Sequence, residues 1–132
     1  NDLGKLGEEL AVEFLEKNGY SVLETNWTFQ KAEIDIIAKK DGFLIFIEVK
    51  TRSSKKFGKP EDAIDKKKIS LYKDAAEGYI EQYPTDDEIR FDIFTIIGKG
   101  KFFHKREYIW RLFRKFTGRK VFTGTNQSYT VL

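Results

Sequence analysis

The spacing of apolar residues changes several times along the chain, and each change marks an element. Leu3, Leu6, Leu10 and Phe14 recur at three- and four-residue intervals, which puts them on one stripe of a helix. Asp2 is a natural N-cap for that helix, and Gly19 supplies a residue able to close it in the left-handed conformation. Tyr20 to Leu23 predicts a short strand. The run Glu33-Ile34-Asp35-Ile36-Ile37-Ala38 alternates strongly enough for a second strand. Asp41-Gly42 is a hairpin signal, and Phe43 to Lys50 is apolar enough to lie centrally in a sheet. After a Lys/Ser/Gly-rich stretch at 52–60, a long helix is expected from Glu61 to Tyr83, ended by Pro84. Arg90 to Ile97 predicts a fourth strand, Gly98 to Gly100 a turn, 101–104 a fifth strand, and Tyr108 to Phe116 a short basic helix. Thr117 to Leu132, rich in Gly, Thr, Asn and Ser, reads as a loose tail. The order is α-β-β-β-α-β, an α/β fold. Residues 1–100 are expected to form the core of a single domain, and 101–132 a basic C-terminal extension.

This pattern brings charge into an apolar setting. Side chains two apart on a strand share a face. Glu33 and Asp35 therefore go together, and so do Glu48 and Lys50. If the Asp41-Gly42 turn pairs the two strands, three carboxylates and one ammonium converge between apolar runs. Ionised groups there are costly unless paired or metal-bound, and a divalent cation relieves repulsion between neighbouring carboxylates. Oxygen ligands without His or Cys suit a hard ion, Mg2+ or Mn2+, rather than zinc. Such an ion on Asp35 and Glu48 polarises a phosphoryl oxygen and acidifies a water, while Lys50 orients that water or steadies charge on the phosphate. The plainer reading is a Glu–Lys salt bridge at a strand end.

Composition narrows the setting. The 132 residues suit one domain. The absence of cysteine excludes disulfides and thiolate chemistry and fits a reducing interior. No stretch approaches the roughly 18–20 apolar residues of a membrane span, and no secretory h-region opens the chain, so a cytoplasmic protein is expected. The net charge of +3 hides a division. Residues 1–98 carry 15 Lys/Arg against 20 Asp/Glu, whereas 99–132 carry 9 against a single acidic residue, Glu107. A basic tail on a mildly acidic body is suited to a polyanion, although charge runs are also common on solvated faces.

Asp35 followed by Glu48-Val49-Lys50 resembles the PD-(D/E)XK signature of restriction-endonuclease-like nucleases. More narrowly, Gly4-x-x-Gly7-Glu8-x-x-Ala11, Asn26-Trp27, Glu33 to Ala38, Glu48-Val49-Lys50-Thr51-Arg52, Phe57-Gly58 and Arg90-Phe91-Asp92 resemble the YraN family of endonuclease-like proteins, across about residues 4–97. The resemblance implies an αβββαβ core with a mixed sheet flanked by helices, similar to archaeal Holliday-junction resolvases, in a cytoplasmic bacterial protein. It implies Asp35 and Glu48 as metal ligands, Lys50 as the catalytic lysine, and the Val49 carbonyl as a further ligand. Glu8 matches an acidic residue that relatives bring toward the metal, though it also reads as an ordinary helical Glu beside Glu9. Glu33 is an accessory carboxylate. Arg52, Lys67 and Lys68 are candidates for phosphate contact, against a plain solvated role. Arg90 and Asp92 are expected to pair on the outside, with Phe91 in the core. Ala32 stands where the family has Gly, which would strain a backbone of positive φ. The sequence from about Phe102 onward departs from the family pattern.

Two residues carry weaker signals. His104, the only histidine, lies away from the carboxylates, and Trp27 with Phe29 suits a core better than base stacking. The expected function is a metal-dependent endonuclease cleaving DNA, structure-selective at branched or damaged sites. A homodimer or a partner protein is compatible with it. The alternatives are a non-catalytic nucleic-acid-binding module on the same fold, or an adaptor using aromatic surface near Trp110 and Phe113.

Overall fold

A computed structural model describes residues 2–52, 66–98, 101–105 and 126–130, with the last two segments described by backbone alone. The elements are α1 (Asp2–Lys17), β1 (Ser21–Phe29), β2 (Ala32–Lys40), β3 (Phe43–Arg52), α2 (Lys66–Gln82), β4 (Glu88–Ile97), β5 (Lys101–Lys105) and β6 (Asn126–Thr130). They build one six-stranded sheet in the order β1-β2-β3-β4-β5-β6. β3 and β4 run parallel, joined through α2, and every other neighbouring pair is antiparallel. The expected αβββαβ core is therefore present, with β3 central.

Local chemistry explains the turns. Asp41 and Gly42 both take positive φ, 50° and 82°, the conformation a tight two-residue hairpin demands. Gly19, at φ 86°, closes α1 as expected. Ala32 does not share this feature: it sits buried in ordinary strand backbone, so replacing the family's Gly introduces no strain.

Each face of the sheet is covered by one helix. α1 lays Ala11 and Leu15 over Ile36, Ala38, Ile45, Ile47, Val49, Phe94 and Ile96. α2 lays Tyr72, Ala75, Ala76 and Tyr79 over Ile34, Leu44, Phe46, Ile89 and Phe91. Trp27 and Phe29 pack against this second cluster, Trp27 edge-on to Tyr79, which bears out their core assignment. Gly78 lets α2 approach closely, because a Cβ there would lie 2.5 Å from the Phe29 ring. Among the described residues no helix is long and apolar enough to cross a membrane.

Several expectations need correction. The first strand is longer than Tyr20–Leu23: it runs to Phe29 and forms one edge of the sheet, half exposed along its length. Part of the expected loose tail, Asn126–Thr130, is instead a strand paired with β5. Arg90 and Asp92 do pair, but inside the protein, 3% and 2% exposed. The physical reason is that the rings of Tyr20 and Phe43 lie against the guanidinium and the Tyr20 hydroxyl accepts from it, so this stretch of β4 does not reach water. The expected helix over 108–116, the stretch at 53–60 containing Phe57-Gly58, and the start of the long helix at 61–65 lie outside the described residues.

Candidate functional site

The site forms where the sheet opens. The β2–β3 ladder pairs Ile36 with Ile47 and goes no further toward the start of β2. Ile34 and Ile37 face α2, but Ile36 and Ala38 face α1, so regular alternation breaks around Asp35. The Asp35 carboxylate enters the resulting gap, and its Oδ2 accepts the Val49 backbone N–H at 2.8 Å. A side chain here does what a strand carbonyl would otherwise do, which ties the turned-out residue to β3.

Glu48 projects from β3 toward α2 and is 2% exposed. An isolated buried carboxylate would be prohibitively costly, and this one is surrounded by donors. The Tyr72 hydroxyl donates to Oε1. Lys50 Nζ stands 3.1 Å from Oε2, and Lys68 Nζ forms a second ion pair with the same oxygen. Lys68 and Tyr72 lie four residues apart, so one face of α2 delivers both.

Burial and the neighbouring Glu48 push the Asp35 carboxyl up to about 8. Burial would raise Glu48 as well, but hydrogen bonds from Asp35, Lys68 and Tyr72 hold it below the usual carboxylate range. One proton is thus kept on the pair at neutral pH, carried by Asp35. Burial, reinforced by Lys68, lowers Lys50. Burial acts against Lys68 too, yet its bond to Glu48 raises it. Tyr72 is raised by burial and by the charge of Glu48, so its hydroxyl remains a donor. Glu8, reaching in from α1, is raised by burial and by Glu33.

All nine residues singled out from the sequence line one open cleft of about 600 Å³: Glu8, Glu33, Asp35, Glu48, Val49, Lys50, Arg52, Lys67 and Lys68. The floor is acidic, while Lys31, Arg52 and Lys67 add positive charge at its edges. The grouping is uneven. Asp35, Glu48, Lys50 and Lys68 form one bonded cluster, whereas Glu8 acts on Asp35 through its charge and Glu33 acts in turn on Glu8. Sequence reasoning missed Tyr72 and Lys31. The spacing of Tyr72 from Lys68 was an available signal, but a tyrosine on a helix reads first as core. His104 lies on β5, paired with Phe94 of β4.

The donor set fits a hard divalent cation. Two carboxylates are held close enough to share a proton, and the buried Oε1 of Glu8 has no hydrogen-bond partner in the protein. Among the described residues no three His, Cys, Asp or Glu side chains meet at common ligating distance. Asp35 and Glu48 are the carboxylates that could hold such an ion, with Glu8 lining the same cleft.

Asp35 also has a consequence for stability. Its folded-state pKa lies above the unfolded value of about 3.9. Between those values the native state binds the extra proton, so the contribution of Asp35 to stability is full below about pH 4 and is lost as pH rises toward 8. With metal chelated, Asp35→Asn is expected to melt higher than the wild type at pH 8, by on the order of 2 kcal/mol. The gap should close near pH 4, and thermal unfolding at both pH values measures it.

Comparison with known proteins follows the same region. Residues 7–96 match the family described as "Uncharacterised protein family UPF0102". A UPF0102 protein of Flavobacterium psychrophilum is 57% identical over 103 residues, covering 78% of this chain and 87% of the relative. One from Christiangramia forsetii is 50% identical over 109 residues, covering 83% and 91%. One from Bacteroides fragilis is 46% identical over 99 residues, covering 75% and 82%. The family match begins within α1, at residue 7, and ends within β4, at residue 96.

Proposed function

We propose, on the premise that the chain belongs to the UPF0102 family, the YraN-like group, that its cleft is the active site of a metal-dependent endonuclease acting on DNA in the cytoplasm. The observation that carries this reading is the placement of Asp35, Glu48 and Lys50. Two carboxylates and a lysine converge at a break in the β2–β3 ladder, on the floor of a cleft with basic edges.

Mg2+ or Mn2+ held by Asp35 and Glu48, with the Val49 carbonyl as a further donor, would supply Lewis-acid polarisation of a phosphodiester and a more acidic water. The protein's own groups do the rest. Asp35 would hold the ion as a carboxylate, its proton passing to solvent. Lys68 releases Glu48 Oε2 and turns its ammonium toward a substrate phosphate. Lys50 stays beside Glu48, where its ammonium orients the attacking water and offsets charge growing on the phosphate. Lys31, Arg52 and Lys67 hold the backbone of the nucleic acid through charge, which fixes position and not sequence. A shape-selective enzyme for branched or damaged DNA follows from that mode of contact.

A specific feature favours a second reading. Both oxygens of Glu48 already have partners, Tyr72 on one and two lysines on the other. A cleft closed in this way would bind nucleic acid without cutting it. Incubating the wild type with flap, fork, four-way-junction and linear duplex DNA, with Mg2+ and with chelator, separates the two. Strand scission that needs Mg2+ supports the nuclease. DNA binding with no scission at any structure, in Mg2+ or Mn2+, would replace it with the binding module.

A further inference from the structure

One residue of the edge strand has a backbone that strand formation does not explain. Asn26 lies within β1 and yet takes φ 51°, a conformation that is unfavourable for a non-glycine residue and persists where the surroundings impose it. The β1–β2 ladder pairs Thr25 with Ile36 and Trp27 with Ile34 but skips the position between them, where Asn26 faces Asp35. Both strands therefore leave regular geometry at the same rung. Asn is among the few side chains that tolerate this φ, and here it carries an amide as well.

That amide and the Glu8 carboxylate line the same pocket between α1 and β1, near enough for the amide to oppose the rise that burial imposes on Glu8. Glu8 forms the wall between two cavities: the cleft with Asp35 and Glu48 on one side, and on the other a pocket between α1 and β1 lined by Asn26, Thr25 and Val12. Beside Asn26, Glu8 keeps a buried Oε1 that no protein group satisfies. A carboxylate left with an unsatisfied oxygen beside two further carboxylates is positioned to accept from ordered water in a cation's shell.

We propose that Asn26 is a positioning residue, whose strained backbone and side-chain amide fix Glu8 at the edge of the Asp35–Glu48 pair so that Glu8 anchors the water shell of the bound cation. This rests on the cation reading of the cleft. It also explains why the bend in β1 stands opposite Asp35: one irregular rung turns Asp35 into the gap and Asn26 onto Glu8.

Backbone and amide are separable by substitution. Asn26→Gly accepts the same φ without strain and removes only the amide, so the fold is retained. Mn2+ affinity, read from the free-ion signal in electron paramagnetic resonance, is compared among the wild type, Asn26→Gly, Glu8→Gln, the double variant and Asp35→Asn. Asn26→Gly and Glu8→Gln are each expected to weaken binding about tenfold, and the double variant to bind no more weakly than Glu8→Gln alone. Unchanged affinity in Asn26→Gly would overturn the proposal, and so would losses that multiply in the double variant, since Asn26 would then act independently of Glu8. If the wild type and Asp35→Asn bind Mn2+ alike, the cation reading fails first and the role of Asn26 falls with it.

Discussion

Lys50→Ala is expected to slow phosphodiester cleavage by about a hundred- to a thousandfold, the usual loss when one preorganised charge stabiliser is removed from an active site. The magnitude follows from where the ammonium sits. Lys50 stands 3.1 Å from Glu48 Oε2, with its side chain only 22% exposed. A charge so placed is screened less than a surface lysine. The fold should survive, because Tyr72 and Lys68 still satisfy Glu48. Metal affinity should hold or rise, since a competing positive charge leaves the carboxylates. Arginine should rescue poorly, its planar fork being wider than a compact ammonium. Single-turnover rates at saturating Mg2+, alongside Mn2+ affinity, separate this role from simple ion pairing. A wild-type rate in Lys50→Ala would remove Lys50 from the chemistry.

Asp92→Ala is expected to destabilise the protein by about 3–5 kcal/mol, the cost of leaving a buried charge without its partner. Arg90 donates to both oxygens of Asp92, at 3.0 and 2.9 Å, and to the Tyr20 hydroxyl at 2.9 Å. The rings of Tyr20 and Phe43 lie against the guanidinium, with centroids 5.7 and 5.4 Å from its central carbon. None of these groups offers an alternative anion. The pair is 3% and 0% exposed at the side chains, so water does not replace the lost carboxylate. By contrast the Glu13–Lys17 pair, 60% and 73% exposed, should cost no more than about 0.5 kcal/mol when Glu13 is replaced by alanine. Urea unfolding of both variants gives the comparison, and similar small losses for the two would contradict this account of the core.

The parts of the fold set by short-range pattern were legible in the sequence. The Asp41-Gly42 turn and the alternation through β2 and β3 placed Asp35 near Glu48, because period-two geometry and a two-residue hairpin leave one register. What depended on distant neighbours was not legible. The length of β1 was hidden because Glu24 and Asn26 are poor strand formers, and an edge strand needs only one apolar face. The burial of Arg90 and Asp92 was hidden because two charges two residues apart look like a solvated face until Tyr20 and Phe43, distant in sequence, close over them. Pairing of Asn126–Thr130 with β5 joins segments about twenty residues apart, with no hairpin signal between them. At the site, the residue types were readable but their bonding was not. Tyr72 looked like core, and Asn26 carried no sign of its φ.

The central claim is that Asp35 and Glu48 together bind a divalent cation. Calorimetric titration of Mn2+ into the wild type and into Asp35→Asn at pH 8, where Asp35 yields its proton readily, tests it most directly. Saturable binding to the wild type and its loss in Asp35→Asn are expected, with that variant still folded. Equal binding to both proteins, or none to the wild type at millimolar Mn2+, would contradict it.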